Sequence, residues 1–345
     1  MKRKSSKKKK SNMNIYIPDE IKHLINIELQ QKMINELEEL NNFDKDYLYN
    51  NHIDFKNDYI FNMKFSNKEI EIIPYSFLRI NIYGYLDLSN NYIRELPENF
   101  GDITVRGDLK LNNNHIINLP ENFGEITVGG NLDLSNNQLE KLPKSFGSIT
   151  IGGNLNLNHN QLTEIPDLSE TFSYITVGGN LDLSYNQLTD FFGEEIKVKG
   201  DLDLSNNEIQ FLYENFGKIT VGGNLDLSNN SLEYLTENFE EITVMGNLNL
   251  SYNDIKELYN NFGEIKVGGD LNLSNNSLEY LPENFGEITV GGNLDLSNNS
   301  LLYLPENFGE ITVGGDLYLS NNNDLIKLPK CLKNVSGDFI KASYD

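Results

Sequence analysis

The sequence predicts an α/β repeat solenoid: a long parallel sheet on a concave side, an irregular or short-strand convex side, and a helical cap at the N-terminal end. Three observations predict it. The 345-residue chain writes nearly the same unit over and over, as in GGNLDLSNNQLEKLP at 129–143 and GGNLDLSNNSLLYLP at 291–305. Eleven units carry a Leu-X-Leu alternation. Asn and Phe then recur at fixed offsets from that pair.

Aligned on the Leu pair, the units start at Leu86, Leu109, Leu132, Leu155, Leu181, Leu202, Leu225, Leu248, Leu271, Leu294 and Leu317. The step is 23 residues, except 26 from Leu155 to Leu181 and 21 from Leu181 to Leu202. A further copy lies upstream, where Phe65, Ile70, Ile73, Pro74 and Phe77 each stand 23 residues before Leu88, Ile93, Leu96, Pro97 and Phe100. That makes twelve copies, and SGDFIK, an echo of GGDLYL, ends the array at Phe339.

Within each copy the Leu-X-Leu segment has period two. Leu132 and Leu134 therefore point to one face, and Asn131 and Asp133 to the other. Stacked copies form one parallel sheet, roughly 50 Å long at about 4.8 Å per strand. A single copy buries too little to offset the ordering of its own backbone, so stability has to come from its neighbours.

Two columns of residues support this stacking. Asn91, Asn114, Asn137, Asn160, Asn186, Asn207, Asn230, Asn253, Asn276, Asn299 and Asn322 stand where the chain turns inward. A buried amide there can serve loop backbone groups that would otherwise go unpaired, so these are read as a structural ladder rather than as ligands. The first copy has Lys68 instead, which suits a terminal unit. Phe77, Phe100, Phe123, Phe146, Phe172, Phe216, Phe239, Phe262, Phe285 and Phe308, with Phe192 standing in for the shortened copy, form a packed aromatic spine. The Gly-Gly pair after Val128 makes a corner where a Cβ would be crowded.

The shared unit, I-T-V-G-G-N-L-D-L-S-N-N-x-L-x-x-L-P-x-x-F-G, resembles the leucine-rich repeat, L-x-x-L-x-L-x-x-N-x-L, over residues 63–329. One departure bears on the convex side. The leading Leu falls on a glycine such as Gly129, while Ile126 and Val128 supply apolar residues earlier, so this side is expected to be more strand-like than helical. What the resemblance implies is non-catalytic protein binding.

Outside the array, residues 1–11 form a basic tail expected to be disordered, 12–62 a mainly helical N-terminal cap, and 330–345 a C-terminal cap. The helix rests on Ile21, Leu24, Ile25, Leu29, Met33, Leu37 and Leu40 at helical spacing, after Pro18, Asp19 and Glu20 in a first turn. Ile17-Pro18-Asp19-Glu20-Ile21 with Leu24-Ile25 also resembles the opening of an F-box. That would make the protein a substrate adaptor of a ubiquitin ligase, although the chain has no Trp and the following acidic stretch departs from the later F-box helices.

Charge is unevenly placed. Residues 1–10 hold seven of the 28 Lys and Arg, so residues 11–345 carry 21 cations against 51 carboxylates, a net of −30. The body repels nucleic acid and anionic membrane; the tail serves either as a solubilising arm or as an import signal or nucleic-acid tether. A lone cysteine, Cys331, and the lack of an apolar leader point to an intracellular protein, cytoplasmic or nuclear.

Catalysis needs a local break in the repeat, and none gathers a nucleophile, a base and an orienting group. The serines recur in register, and His23, His52, His115 and His159 are scattered. Neither a metal site nor a cofactor is expected, and the chain reads as a non-enzyme. Two candidate partner sites remain. Asp182, Asp203 and Asp226, with Asp201, form a run of carboxylates on the exposed sheet face, read either as side chains tolerated by solvent or as a site for a Lys/Arg-rich protein. Tyr234, Tyr280 and Tyr303, with Phe211, share one position beside the sheet, read as interface anchors or as edges of the core.

Overall fold

A computed structural model of the chain describes residues 32, 35, 36, 39, 53–56, 59–75, 81–165, 175–191, 196–326 and 333–340. Each copy is one coil of a solenoid with a parallel sheet on two sides. The first sheet has fourteen strands among the described residues. It begins with β1 (Ile53–Lys56) and β2 (Tyr59–Lys64), takes one two-residue strand from each Leu-X-Leu segment, and ends at Phe339–Ile340. Every Leu is in register with the next, as in Leu155↔Leu181↔Leu202. The unequal steps of 26 and 21 are thus absorbed in the loops.

The opposite side is a second parallel sheet of twelve strands, from Asn81–Ile82 to Asn334–Val335. The Ile-Thr-Val segment builds it: Ile126 and Val128 are buried while Thr127 faces out. Between the sheets, Pro-x-x-Phe closes a short 3₁₀ turn. At Lys144–Ser148, Phe146 N–H donates to Pro143 O at 2.9 Å and Ile149 N–H to Phe146 O at 3.1 Å.

One copy buries Leu132, Leu134, Leu139, Leu142, Phe146, Ile149 and Ile151, and the same set recurs through the array as one continuous core. Phe100, Phe123 and Phe146 stack with centroids 6.1 Å apart, and Phe216, Phe239, Phe262, Phe285 and Phe308 continue the column at 5.9–6.3 Å. Phe77, Phe172 and Phe192 lie outside the described residues. In the shortened copy Phe191 is the buried ring, edge-on to Phe216 at 5.9 Å.

The helical N-terminal cap expected over 12–62 is not what adjoins the array. Lys32, Asn35, Glu36 and Glu39 have helical backbone, but the first copy pairs with strands. Met63 in β2 stands in parallel register with Leu86, and β1 runs antiparallel to β2. The physical reason is the open sheet edge: its backbone groups need a strand partner, which a helix cannot supply. The F-box-like opening at 17–25 lies outside the described residues, as do 1–11.

Candidate interaction surface

The sheet loops are held by three sets of repeated hydrogen bonds. The inward asparagines each bridge two copies. Asn137 Nδ2 donates to Leu111 O of the preceding copy and to Leu134 O of its own, both at 3.0 Å, while Oδ1 accepts from Ile116 N–H at 3.1 Å. Asn91, Asn114, Asn160, Asn186, Asn207, Asn230, Asn253, Asn276, Asn299 and Asn322 make the same contacts. The residue before each has φ between 51° and 59°. That left-handed conformation suits Asn, and it is held by His159, Tyr185 and Tyr252 in three copies.

A second ladder follows the glycine corner and had no counterpart in the sequence reading. Asn131 Oδ1 accepts from Asn154 N–H at 2.7 Å, Asn154 from Asn180, Asn180 from Asp201, and Asp201 from Asn224 at 2.7 Å. It continues to Asp316, whose Oδ1 accepts from Asp338 N–H. The signal was present as the Asn or Asp after every Gly-Gly. Asp201 therefore belongs to a structural column separate from the other three aspartates.

Asp182, Asp203 and Asp226 do stand side by side on the exposed face of the first sheet, in register across three adjacent strands. Each also closes a local turn. Oδ1 accepts the N–H two residues on: Ser184 at 3.0 Å, Ser205 at 2.9 Å and Ser228 at 2.8 Å. Asn156, Asn249 and Asn272 do the same in their copies, so in these copies a short side-chain carbonyl, charged or not, closes the turn. Neighbours reach two of the outer oxygens: Asn158 Nδ2 is 2.7 Å from Asp182 Oδ2, and Asn249 Nδ2 is 3.2 Å from Asp226 Oδ2. Burial pushes the Asp203 carboxyl above its ordinary value; its hydrogen bonds with Ser205 oppose that, and Asp182 and Asp226 add to it.

Beside the sheet a different column changes character along the molecule. Glu95, Asn118 and Lys141 occupy it in early copies, joined by isolated parallel bridges. After the irregular steps it becomes aromatic: Phe211 is 62% exposed, Tyr234 and Tyr280 41%, and Tyr303 56%, with Glu257 between Tyr234 and Tyr280. The Tyr280 and Tyr303 rings have centroids 5.0 Å apart and planes tilted by 46°. Adjacent to this ridge, Lys256 Nζ lies 2.9 Å from Glu233 Oε2, and this carboxylate holds the ammonium above the ordinary lysine range. At the ridge's upstream end, burial and Glu164 push the Asp190 carboxyl up, and a hydrogen bond with Tyr213 draws it back. The tyrosines are thus half-exposed members of a rigid row.

No group of three or more His, Cys, Asp or Glu among the described residues could hold a metal ion. No helix among the described residues is long and apolar enough to cross a membrane. His115 stacks on Tyr92 at 5.9 Å and His159 on Tyr185 at 4.4 Å, two separate places on the array.

The leucine-rich repeat family model matches residues 85–103 and 131–149. Among solved structures, the leucine-rich repeat domain of APL1 is similar at 27% identity and TM-score 0.52, covering 76% of this chain and 71% of that one. The corresponding domain of APL1B has 24% identity and TM-score 0.53, covering 80% and 83%. The Toll–Spätzle complex of Drosophila has 20% identity and TM-score 0.51, covering 73% and 35%. No curated protein sequence matches significantly. Stacked coils, register-locked leucines and the bridging asparagine define the class, a parallel-sheet repeat solenoid. Within that class, the chain has the leucine-rich repeat fold, and the family model matches two of its copies.

Proposed function

We propose that the array is a non-catalytic protein-interaction scaffold that engages its partner beside the first sheet, through Phe211, Tyr234, Tyr280 and Tyr303. The observation that carries this is the exposed aromatic run itself, at a position that holds Glu95, Asn118, Lys141, Glu164 and Asp190 in the five preceding copies. A folded array gains nothing by exposing large rings, whereas rings on a rigid surface make strong interface anchors. The neighbouring row and the gap in the ridge supply Glu233, Glu257 and Glu279, so the partner this surface suits is Lys/Arg-rich. The rival acidic row is weaker support, because Asp182, Asp203 and Asp226 have a local structural use. The Toll–Spätzle structure is an instance of the fold in a protein complex.

The test is affinity capture compared across three forms of the full chain. Loss of the captured partner on combined Tyr234→Ala, Tyr280→Ala and Tyr303→Ala is the expected result, with capture retained after Asp182→Lys, Asp203→Lys and Asp226→Lys. The reverse pattern would transfer the binding face to the acidic row.

A further inference from the structure

We propose that the chain's own basic segment, residues 2–10, occupies the aromatic ridge, so that an external Lys/Arg-rich partner has to displace it. The proposal rests on the reading of the ridge as the binding face and names its resident occupant. Three observations carry it.

The first is the chemistry of the ridge. Exposed rings interleaved with carboxylates bind cations in two ways at once, by charge and by the negative faces of the rings. The charge contact is displayed already, in Lys256 Nζ lying 2.9 Å from Oε2 of Glu233, the residue before Tyr234. One copy further on, Glu279 precedes Tyr280, whose ring is tilted by 46° against that of Tyr303.

The second is charge complementarity within one chain. KRKSSKKKK places seven cations in nine residues, while residues 11–345 carry a net charge of −30. At low ionic strength these attract over a Debye length of ~10–30 Å, so the acidic, aromatic strip is a favourable resting place for the segment.

The third is reach. The 43 residues from Lys10 to Ile53 at the start of β1 can span up to about 140 Å at ~3.3 Å per residue. Tyr303 follows the strand Leu294–Asp295, which stands ten positions from β2 in the sheet order. At ~4.8 Å per position that is roughly 48 Å. The connecting chain is therefore long enough for an intramolecular contact.

The experiment measures fluorescence anisotropy of a labelled synthetic KRKSSKKKK peptide with the full chain at low ionic strength. It is repeated with a full chain in which all seven cations of residues 2–10 are changed to Gln. Displacement predicts about tenfold tighter peptide binding to the neutralised chain, the factor expected if nine-tenths of molecules hold the segment in place. In the neutralised chain, Tyr280→Ala with Tyr303→Ala should weaken the peptide about tenfold, roughly threefold per ring. Tyr280→Phe with Tyr303→Phe should leave it unchanged, which separates lost ring contact from lost folding. Equal affinity for the wild-type and neutralised chains would overturn the proposal. So would binding that ignores the tyrosines but falls with Asp182→Lys, Asp203→Lys and Asp226→Lys. If an external partner still requires the tyrosines while the two chains bind the peptide equally, the resident occupant is refuted and the scaffold reading stands.

Discussion

Asn207 Nδ2 donates to Leu183 O at 3.0 Å, across the boundary between two copies, while Asn207 Oδ1 accepts from Leu188 N–H at 3.1 Å. A single buried amide thus serves both signs of backbone group in the preceding coil and, through Leu204 O, in its own. Leucine at this position would leave several buried backbone groups unpaired, at about 1–3 kcal/mol each. Asn207→Leu should therefore destabilise the array by roughly 3 kcal/mol or more, measured as a lower urea midpoint. A changed urea slope would show that the array has begun to unfold in segments.

The glycine corner makes a sharper test because its two members differ. A Cβ on Gly223 would meet the Gly200 carbonyl carbon at 2.9 Å and crowd Asp201 Oδ1, the acceptor of the second ladder. Every copy from Gly84 onward has Gly there. The position of Gly222 instead holds Arg106, Lys199 and Met245 in other copies, although a Cβ on Gly222 also approaches backbone. Gly223→Ala should cost on the order of 2–3 kcal/mol, and Gly222→Ala under about 1 kcal/mol. Thermal unfolding of the two variants side by side decides it, and equal losses would mean that the existing substitutions rely on local adjustments absent at Gly222.

Tyr252 holds φ at 54° in a place where most copies use Asn, and it is exposed. A left-handed backbone costs an ordinary L-residue roughly 1–2 kcal/mol, less for Asn. Tyr252→Asn should raise stability by about 1 kcal/mol, seen as a higher Tm. A lower Tm would show that the tyrosine ring makes compensating contacts.

Asp203 lies between Asp182 and Asp226 with its carboxyl pushed above the ordinary value near 3.8. The sign follows from proton binding. A raised folded-state value means that the native chain holds the proton more tightly, so the residue lowers stability once pH exceeds that value, and the penalty disappears below about 3.8. Asn keeps the Oδ1 acceptor for Ser205 N–H, as Asn249 does for Ser251. Asp203→Asn should thus stabilise by up to about 1 kcal/mol at neutral pH, with the gain vanishing in acid. A gain independent of pH would remove charge as its cause.

The repeat period and the alternation in Leu-Asp-Leu made the sheet legible, because register needs only that identical units place identical side chains inward. The Ile-Thr-Val segment likewise announced a strand-like opposite side. The N-terminal end was misread: the periodic apolar residues of 21–40 drew attention away from IDFK and YIFNMK, whose backbone pairs with the sheet edge. Phe191, the ring edge-on to Phe216, stands in register with Leu212 at an inward leucine position, while Phe192 lies outside the described residues. Asp201 looked like one more member of the acidic row, since sequence proximity cannot show that its Oδ1 accepts from Asn224 N–H.

Composition and spacing alone determined the coil, its period, the inward leucines and the stacked rings, because each depends on local alternation and on repetition. Only the tertiary structure decided what the polar residues do. Whether an aspartate caps a turn, bridges two coils or faces a partner depends on which backbone groups a neighbouring copy brings within about 3 Å of it, and that is set by packing across coils.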